Sequence, residues 1–337
     1  MRSYWKSFAL LTIATGAAVL AIPAMAAECK PLGIIAALDI KMLPSGRPGI
    51  DVMIGDTPET FLVDTGGVIS MLTPRTVREL KLPTTRARDR TLLTGVNGAS
   101  TDQMVQLPSI TIGNLNQKGP YFYLSPGKDD PTDTGMPEFA GIIAPEFLQH
   151  FDADFDFGGM KLNLISPDHC AGKVQYWQAP ATAIVPMTMD NAGHIKFPMT
   201  LDGKRVNALM DTGASTTVLN LNVARQAFNV DVNAPDVEKT GELKGGYTAN
   251  IYRRRFKSLT AQGVVIKEPM ITLLPDMMNT TSEARPTGSL VRGEVGLPNV
   301  ILGMDALQKL HVYIAYNERK IYITAAGPAP AAGAPAQ

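Results

Sequence analysis

Two short stretches of this chain are built to deliver a carboxylate. One is Ala208-Leu209-Met210-Asp211-Thr212-Gly213-Ala214-Ser215, and an earlier copy reads Phe61-Leu62-Val63-Asp64-Thr65-Gly66-Gly67-Val68. In each, an apolar run ends in an aspartate at a Thr-Gly corner. The physical reading is a strand that stops in a tight turn, where Gly gives the backbone freedom to hold a carboxylate at a buried junction. Two copies suggest two carboxylates brought face to face. Like charges at that distance resist double ionisation, so the pair shares a proton over an acidic range. One carboxylate can then act as a base while the other acts as an acid.

The tripeptide alone carries little information. A third copy, Asp133-Thr134-Gly135, follows Lys128-Asp129-Asp130-Pro131-Thr132 and precedes Met136-Pro137. No strand feeds it, and Pro on both sides marks a surface loop. The apolar flanks make the difference at the other two sites.

The elements around the two aspartates repeat. Asp211 follows Asp64 by 147 residues, and Phe197, Met199 and Leu201 follow Ile50, Val52 and Ile54 by the same interval. Thr73, with Pro74 after it, is expected to cap a helix to about Leu80, and Asn220 to cap one to about Phe228. Arg90 to Leu107 reads as a hairpin centred on Val96-Asn97-Gly98, and Gly245-Gly246-Tyr247 falls at the matching place. Ile301-Leu302-Gly303 follows Ile142-Ile143-Ala144 by 159, and the last hairpin (Leu310–Tyr316, Lys320–Ile323) keeps that interval. The longer interval implies an insertion within Pro275–Pro298. A near-constant offset across so many elements is a duplication. Short strands, Gly-rich turns and little helix make the fold all-β.

These motifs resemble the aspartic peptidases, the retropepsin-like group in particular, across roughly residues 45–325. Their signature is two hydrophobic residues followed by Asp-Thr-Gly, with a hydrophobic-hydrophobic-Gly segment crossing behind. Ile301-Leu302-Gly303 fits that segment, and Ile142-Ile143-Ala144 fits with Ala for Gly. The resemblance implies a bilobal acid-protease barrel of two pseudo-symmetric retropepsin-like lobes, 45–166 and 187–325, joined by a linker at 167–186. It implies an aspartic endopeptidase whose catalytic residues are Asp64 and Asp211. Thr65 and Thr212 match cross-lobe threonines, Gly66 and Gly213 let N–H groups approach the carboxylates, and Ser215 stands beside the outer oxygen of Asp211. Val96, Asn97, Gly98, Gly245, Gly246 and Tyr247 become flaps over a peptide or unfolded-protein substrate, with no cofactor. The first site departs from the pattern: Gly67 replaces Ala214 and Val68 replaces Ser215. Val donates no hydrogen bond, so Asp64 is expected to have the less stabilised anion and the higher pKa. The alternative is a weak or inactive peptide-binding module of the same fold in the cell envelope. A structural envelope factor acting through its outer surfaces is a third idea, with no patch in its support.

The chain's composition limits its partners. With 31 basic and 31 acidic residues of 337, zero net charge argues against nucleic acid and anionic membrane surfaces. Arg2 and Lys6, an apolar stretch from Phe8 to Ile22, and Ala24-Met25-Ala26 read as a signal peptide over 1–26. An N-terminal segment, 27–44, follows it. No later stretch approaches the about 18 apolar residues of a membrane span. A periplasmic or secreted monomer is the expectation. Cys29 and Cys170, the only cysteines, read as a disulfide in an oxidising compartment, with two free thiols the open alternative. Neither they nor His150, His169, His194 and His311 have zinc-like spacing, so no metal is expected. Arg253-Arg254-Arg255 reads as a solvated strand edge, with an acidic substrate the alternative use. The tail, 326–337, has a disordered composition.

Overall fold

The structure, a computed structural model, describes residues 29–87, 92–94, 100–126, 138–243, 249–275 and 299–327. It is mostly strand, in two lobes each built on a curled ten-stranded sheet. In the first lobe, Pro48–Ile54 and Thr57–Val63 form a hairpin. Ile50, Val52 and Ile54 alternate into the core, as period-two patterning requires. In the second lobe, Ile195–Leu201 and Lys204–Met210 repeat the unit. Their two-residue turn is Asp202-Gly203, both at positive φ (48° and 78°), the geometry that favours Asp-Gly in hairpins.

Each approach strand gains a parallel neighbour from far along the chain. Gly141–Ile143 runs parallel to Thr57–Val63 and antiparallel to Met71–Leu72. Val300–Leu302 runs parallel to Lys204–Met210 and antiparallel to Val218–Asn220. The approach strands are therefore interior, which explains why Phe61-Leu62-Val63 and Ala208-Leu209-Met210 are apolar without alternation. The helices Pro74–Glu79 and Leu221–Phe228 are capped by the Thr73 and Asn220 side chains.

A six-stranded sheet joins the lobes. Its order is Ile34–Asp39, Lys161–Ile165, Asp152–Asp156, Leu310–Ala315, Lys320–Ala325, Ala183–Pro186. The central pairing, Asp152–Asp156 with Leu310–Ala315, is antiparallel and crosses from one repeat to the other. The connection between the repeats ends in the edge strand Ala183–Pro186.

Cys29 and Cys170 form a disulfide, with Cα atoms 4.8 Å apart. It fastens the N-terminal segment to the connection, where Cys170 N–H also donates to Lys30 C=O at 2.9 Å. Unreduced protein isolated from an oxidising compartment should yield a Cys29–Cys170 linked peptide by mass spectrometry. Its reduction should cost about 2–5 kcal/mol of stability. Free thiols at both positions in such material would contradict the pairing.

Candidate active site

Asp64 and Asp211 each sit one residue past an interior strand, held there by the crossing strand. Asp64 N–H donates to Ile143 C=O at 2.9 Å, and Asp211 N–H to Leu302 C=O at 3.1 Å. The corner then turns the backbone onto the carboxylate. Gly66 N–H donates to Asp64 Oδ1 at 2.9 Å. Gly213 and Ala214 N–H both donate to Asp211 Oδ1, at 2.8 and 3.0 Å.

The two loops meet across the lobes. A Cβ on Gly66 would lie within 3.0 Å of all three atoms of the Asp211 carboxyl group, and a Cβ on Gly213 would do the same to Asp64. Glycine is required at both positions because the opposite carboxylate fills the space. Behind the acids, Thr65 and Thr212 are fully buried and reciprocally bonded. Thr65 N–H donates to Thr212 Oγ1 (3.0 Å) and Thr212 N–H to Thr65 Oγ1 (3.1 Å). The hydroxyls donate onward, Thr65 to Met210 C=O (2.9 Å) and Thr212 to Val63 C=O (2.6 Å).

Burial raises the pKa of both aspartates. At Asp211 the charge of Asp64 adds to burial and pushes it up to about 7. At Asp64 burial is opposed by the Gly66 N–H, by a hydrogen bond from Asp211, by the Gly67 N–H and by the charge of Arg47. The charge of one acid thus bears on the other, and the proton belongs to the pair. The charge of Arg47 works against the rise at Asp64, and the charge of Asp64 adds to it at Asp211.

Four further residues support the corners. Ser70 Oγ accepts Ala144 N–H at 3.0 Å, while Ser70 N–H donates to Glu146 Oε1 at 2.6 Å. Thr217 Oγ1 accepts Gly303 N–H at 3.2 Å and donates to Asp305 Oδ1 at 2.6 Å, and Thr217 N–H donates to the same oxygen at 2.8 Å. Each set ties the loop after the aspartate to the turn after the crossing strand. The repeat contained the signal, since Thr217 follows Ser70 by 147 residues and Asp305 follows Glu146 by 159.

Val68 and Ser215 are both exposed. Among the described residues, no hydrogen bond joins the Ser215 hydroxyl to Asp211, whose Oδ1 takes backbone N–H groups instead. Val96, Asn97, Gly98, Gly245, Gly246 and Tyr247 lie outside the described residues, as does Asp133-Thr134-Gly135. The strands beside those two undescribed stretches are paired, Thr94 with Ser100 and Leu243 with Ala249. The arginine run is not at an edge. Its strand, Ala249–Arg255, lies between Val237–Leu243 and Met270–Leu274. Arg253 pairs with Glu238 (2.7 Å) and Arg254 with Asp236 (2.8 Å), so ion pairs account for two of the three charges, and Arg255 donates to Glu268 C=O at 3.2 Å. Among the described residues, no group of three or more His, Cys, Asp or Glu could hold a metal ion.

The aspartyl protease family matches residues 50–142 and 197–306, one match on each repeat and together more than half of the chain. The chain belongs to the aspartyl protease family. None of the curated proteins compared matches it.

Proposed function

We propose that this protein is an aspartic endopeptidase in which Asp64 and Asp211 form one catalytic dyad. The observation that supports this reading best is the reciprocal packing of each corner glycine on the other lobe's carboxyl group. A water held between the two acids would be deprotonated by the ionised member as it attacks the peptide carbonyl. The protonated member would donate to the carbonyl oxygen as negative charge develops there. Lobes spanning 45–166 and 187–325 place one acid each, and the hairpins after them serve as flaps over an extended peptide. The signal-like start and the disulfide fit an exported protein, and no helix among the described residues is long and apolar enough to cross a membrane.

The test is cleavage of an unfolded protein from about pH 3 to 8, a range that spans ordinary and raised carboxyl pKa values, with and without a pepstatin-type inhibitor. Turnover requires one proton on the pair, so it should fall as the pH rises through the value of about 7 at Asp211. Peptide binding without cutting anywhere in that range would replace this reading with a binding module. Bound peptide should also slow hydrogen exchange in both Leu93–Thr101 and Val237–Arg255. Protection of one hairpin alone would leave a single flap.

A further inference from the structure

The shared sheet contains a second pair of buried aspartates that the dyad does not use. Asp152 and Asp154 lie two apart on one strand, hence on one face, and both are fully buried. Each joins three segments. Asp152 Oδ2 accepts from His169 Nε2 of the connection (2.6 Å) and from the Tyr313 hydroxyl of the second lobe (3.1 Å). Its Oδ1 accepts Tyr316 N–H at 3.0 Å. Asp154 accepts from the Tyr176 hydroxyl of the connection, from His311 Nε2 of the second lobe (2.6 Å) and from Asn163 Nδ2 (3.1 Å). Trp177 stacks on the His311 ring at 4.1 Å and donates to Thr324 Oγ1. The connection is therefore strapped over the joint between the lobes.

The protonation state of His169 follows from its neighbours. Nδ1 lies 3.2 Å from the Cys170 carbonyl oxygen, which can only accept. Nε2 faces Asp152, whose oxygens already take the Tyr313 hydroxyl and the Tyr316 N–H as an acceptor would. Once Asp152 is ionised, a neutral imidazole with its one N–H cannot serve both sides; the imidazolium can. We propose that His169 is a cationic latch, fastening the connection across the two lobes in acidic and neutral solution and loosening it as the pH rises above neutrality.

Every neighbouring segment contributes to that balance. Asp152 faces the ring from the first lobe, the Tyr313 hydroxyl from the second (3.5 Å from Nε2), and Glu318 from the second lobe's last turn, where it holds Gly172 N–H at 2.8 Å and Lys320 at 3.5 Å. The Lys30–Asp168 ion pair is exposed outside. Burial works against the charged ring, but the bonds to Asp152 and the Cys170 carbonyl, with the charges of Asp152 and Glu318, raise His169 above its ordinary 6.5. A raised group gives its stabilisation in full below the unfolded value and loses it as the pH climbs through the folded one. The His169 window thus lies above 6.5. Asp152 is raised by burial and acts with the same sign in a window that opens at 3.8.

The test uses the full, oxidised chain. Nitrogen-detected NMR should find both His169 ring nitrogens protonated at about pH 7, with a midpoint above that of ordinary histidine. His169→Gln should melt several degrees below the parent at about pH 6, and the gap should narrow by about pH 9. Asp152→Asn should bring the His169 midpoint down. A singly protonated His169 near neutrality, a melting gap that is constant with pH, or a midpoint indifferent to Asp152→Asn would overturn the proposal. If His169→Gln does not fold, the parent's NMR titration decides alone. These measurements read proton occupancy rather than cleavage, so they stand apart from the peptidase reading.

Discussion

Asp64→Asn and Asp211→Asn should each lose nearly all turnover, by about 10²–10⁴-fold or more if general acid–base transfer is the role removed. Asn nearly preserves shape but can neither take a proton from water nor give one up. The double variant should be little worse than either single one, because the two carboxylates act as a unit. Stability should move the opposite way. Both acids are raised in the fold, Asp211 to about 7. Raised carboxyls contribute most stability below their unfolded value of 3.8 and lose it as the pH rises through the folded value. The parent should therefore lose stability relative to Asp211→Asn between acid and about pH 8, since the neutral amide escapes the like-charge repulsion. Melting curves across pH beside a cleavage assay separate the effects. Asn variants that cleave like the parent would end the dyad reading. Asn variants that lose activity and also melt early at every pH would point to a structural role for the acids.

The meeting of the two Asp-Thr-Gly corners was legible because its signals are local. An apolar approach, a Thr-Gly corner and an alternating strand before it all lie within about four turns or strands of one another, and duplication states them twice. The crossing strands were legible through the same interval, as were the caps at Thr73 and Asn220. Features that depend on distant partners were not. The run Asp152-Ala153-Asp154-Phe155-Asp156 alternates charged and apolar residues, a pattern that by itself fits a strand with one solvated face. Its charged face is in fact covered, by a connection whose His169, Tyr176 and Trp177 gave no periodic signal. The arginine run misled for a similar reason. Arg253 and Arg254 meet Glu238 and Asp236 across a hairpin, and local sequence places cations on an edge or in an interior strand equally well.

Thr212→Val should be strongly damaging although it touches no carboxylate. The side chains are nearly the same size, so the change isolates the hydroxyl. Thr212 Oγ1 accepts Thr65 N–H and donates to Val63 C=O, and both partners lie in the dry junction between the lobes. Valine leaves a donor and an acceptor buried and unmatched, at about 1–3 kcal/mol each, or about 2–6 kcal/mol together. Against a typical total of about 5–15 kcal/mol, that is a large fraction. Thr65→Val should act alike, since it strips Thr212 N–H and Met210 C=O. The two threonines are bonded to each other in one network, so the double variant should depart from the sum of the single ones. Each threonine follows a carboxylate directly, so loosening the grip also shifts the acids relative to each other. Turnover should fall in kcat more than in KM, because alignment of reacting groups is lost while the rest of the cleft is kept. Thr212→Ser keeps the hydroxyl and should restore most of both properties. A Thr212→Val protein that melts within about 1 °C of the parent would mean that the shared sheet alone holds the lobes together.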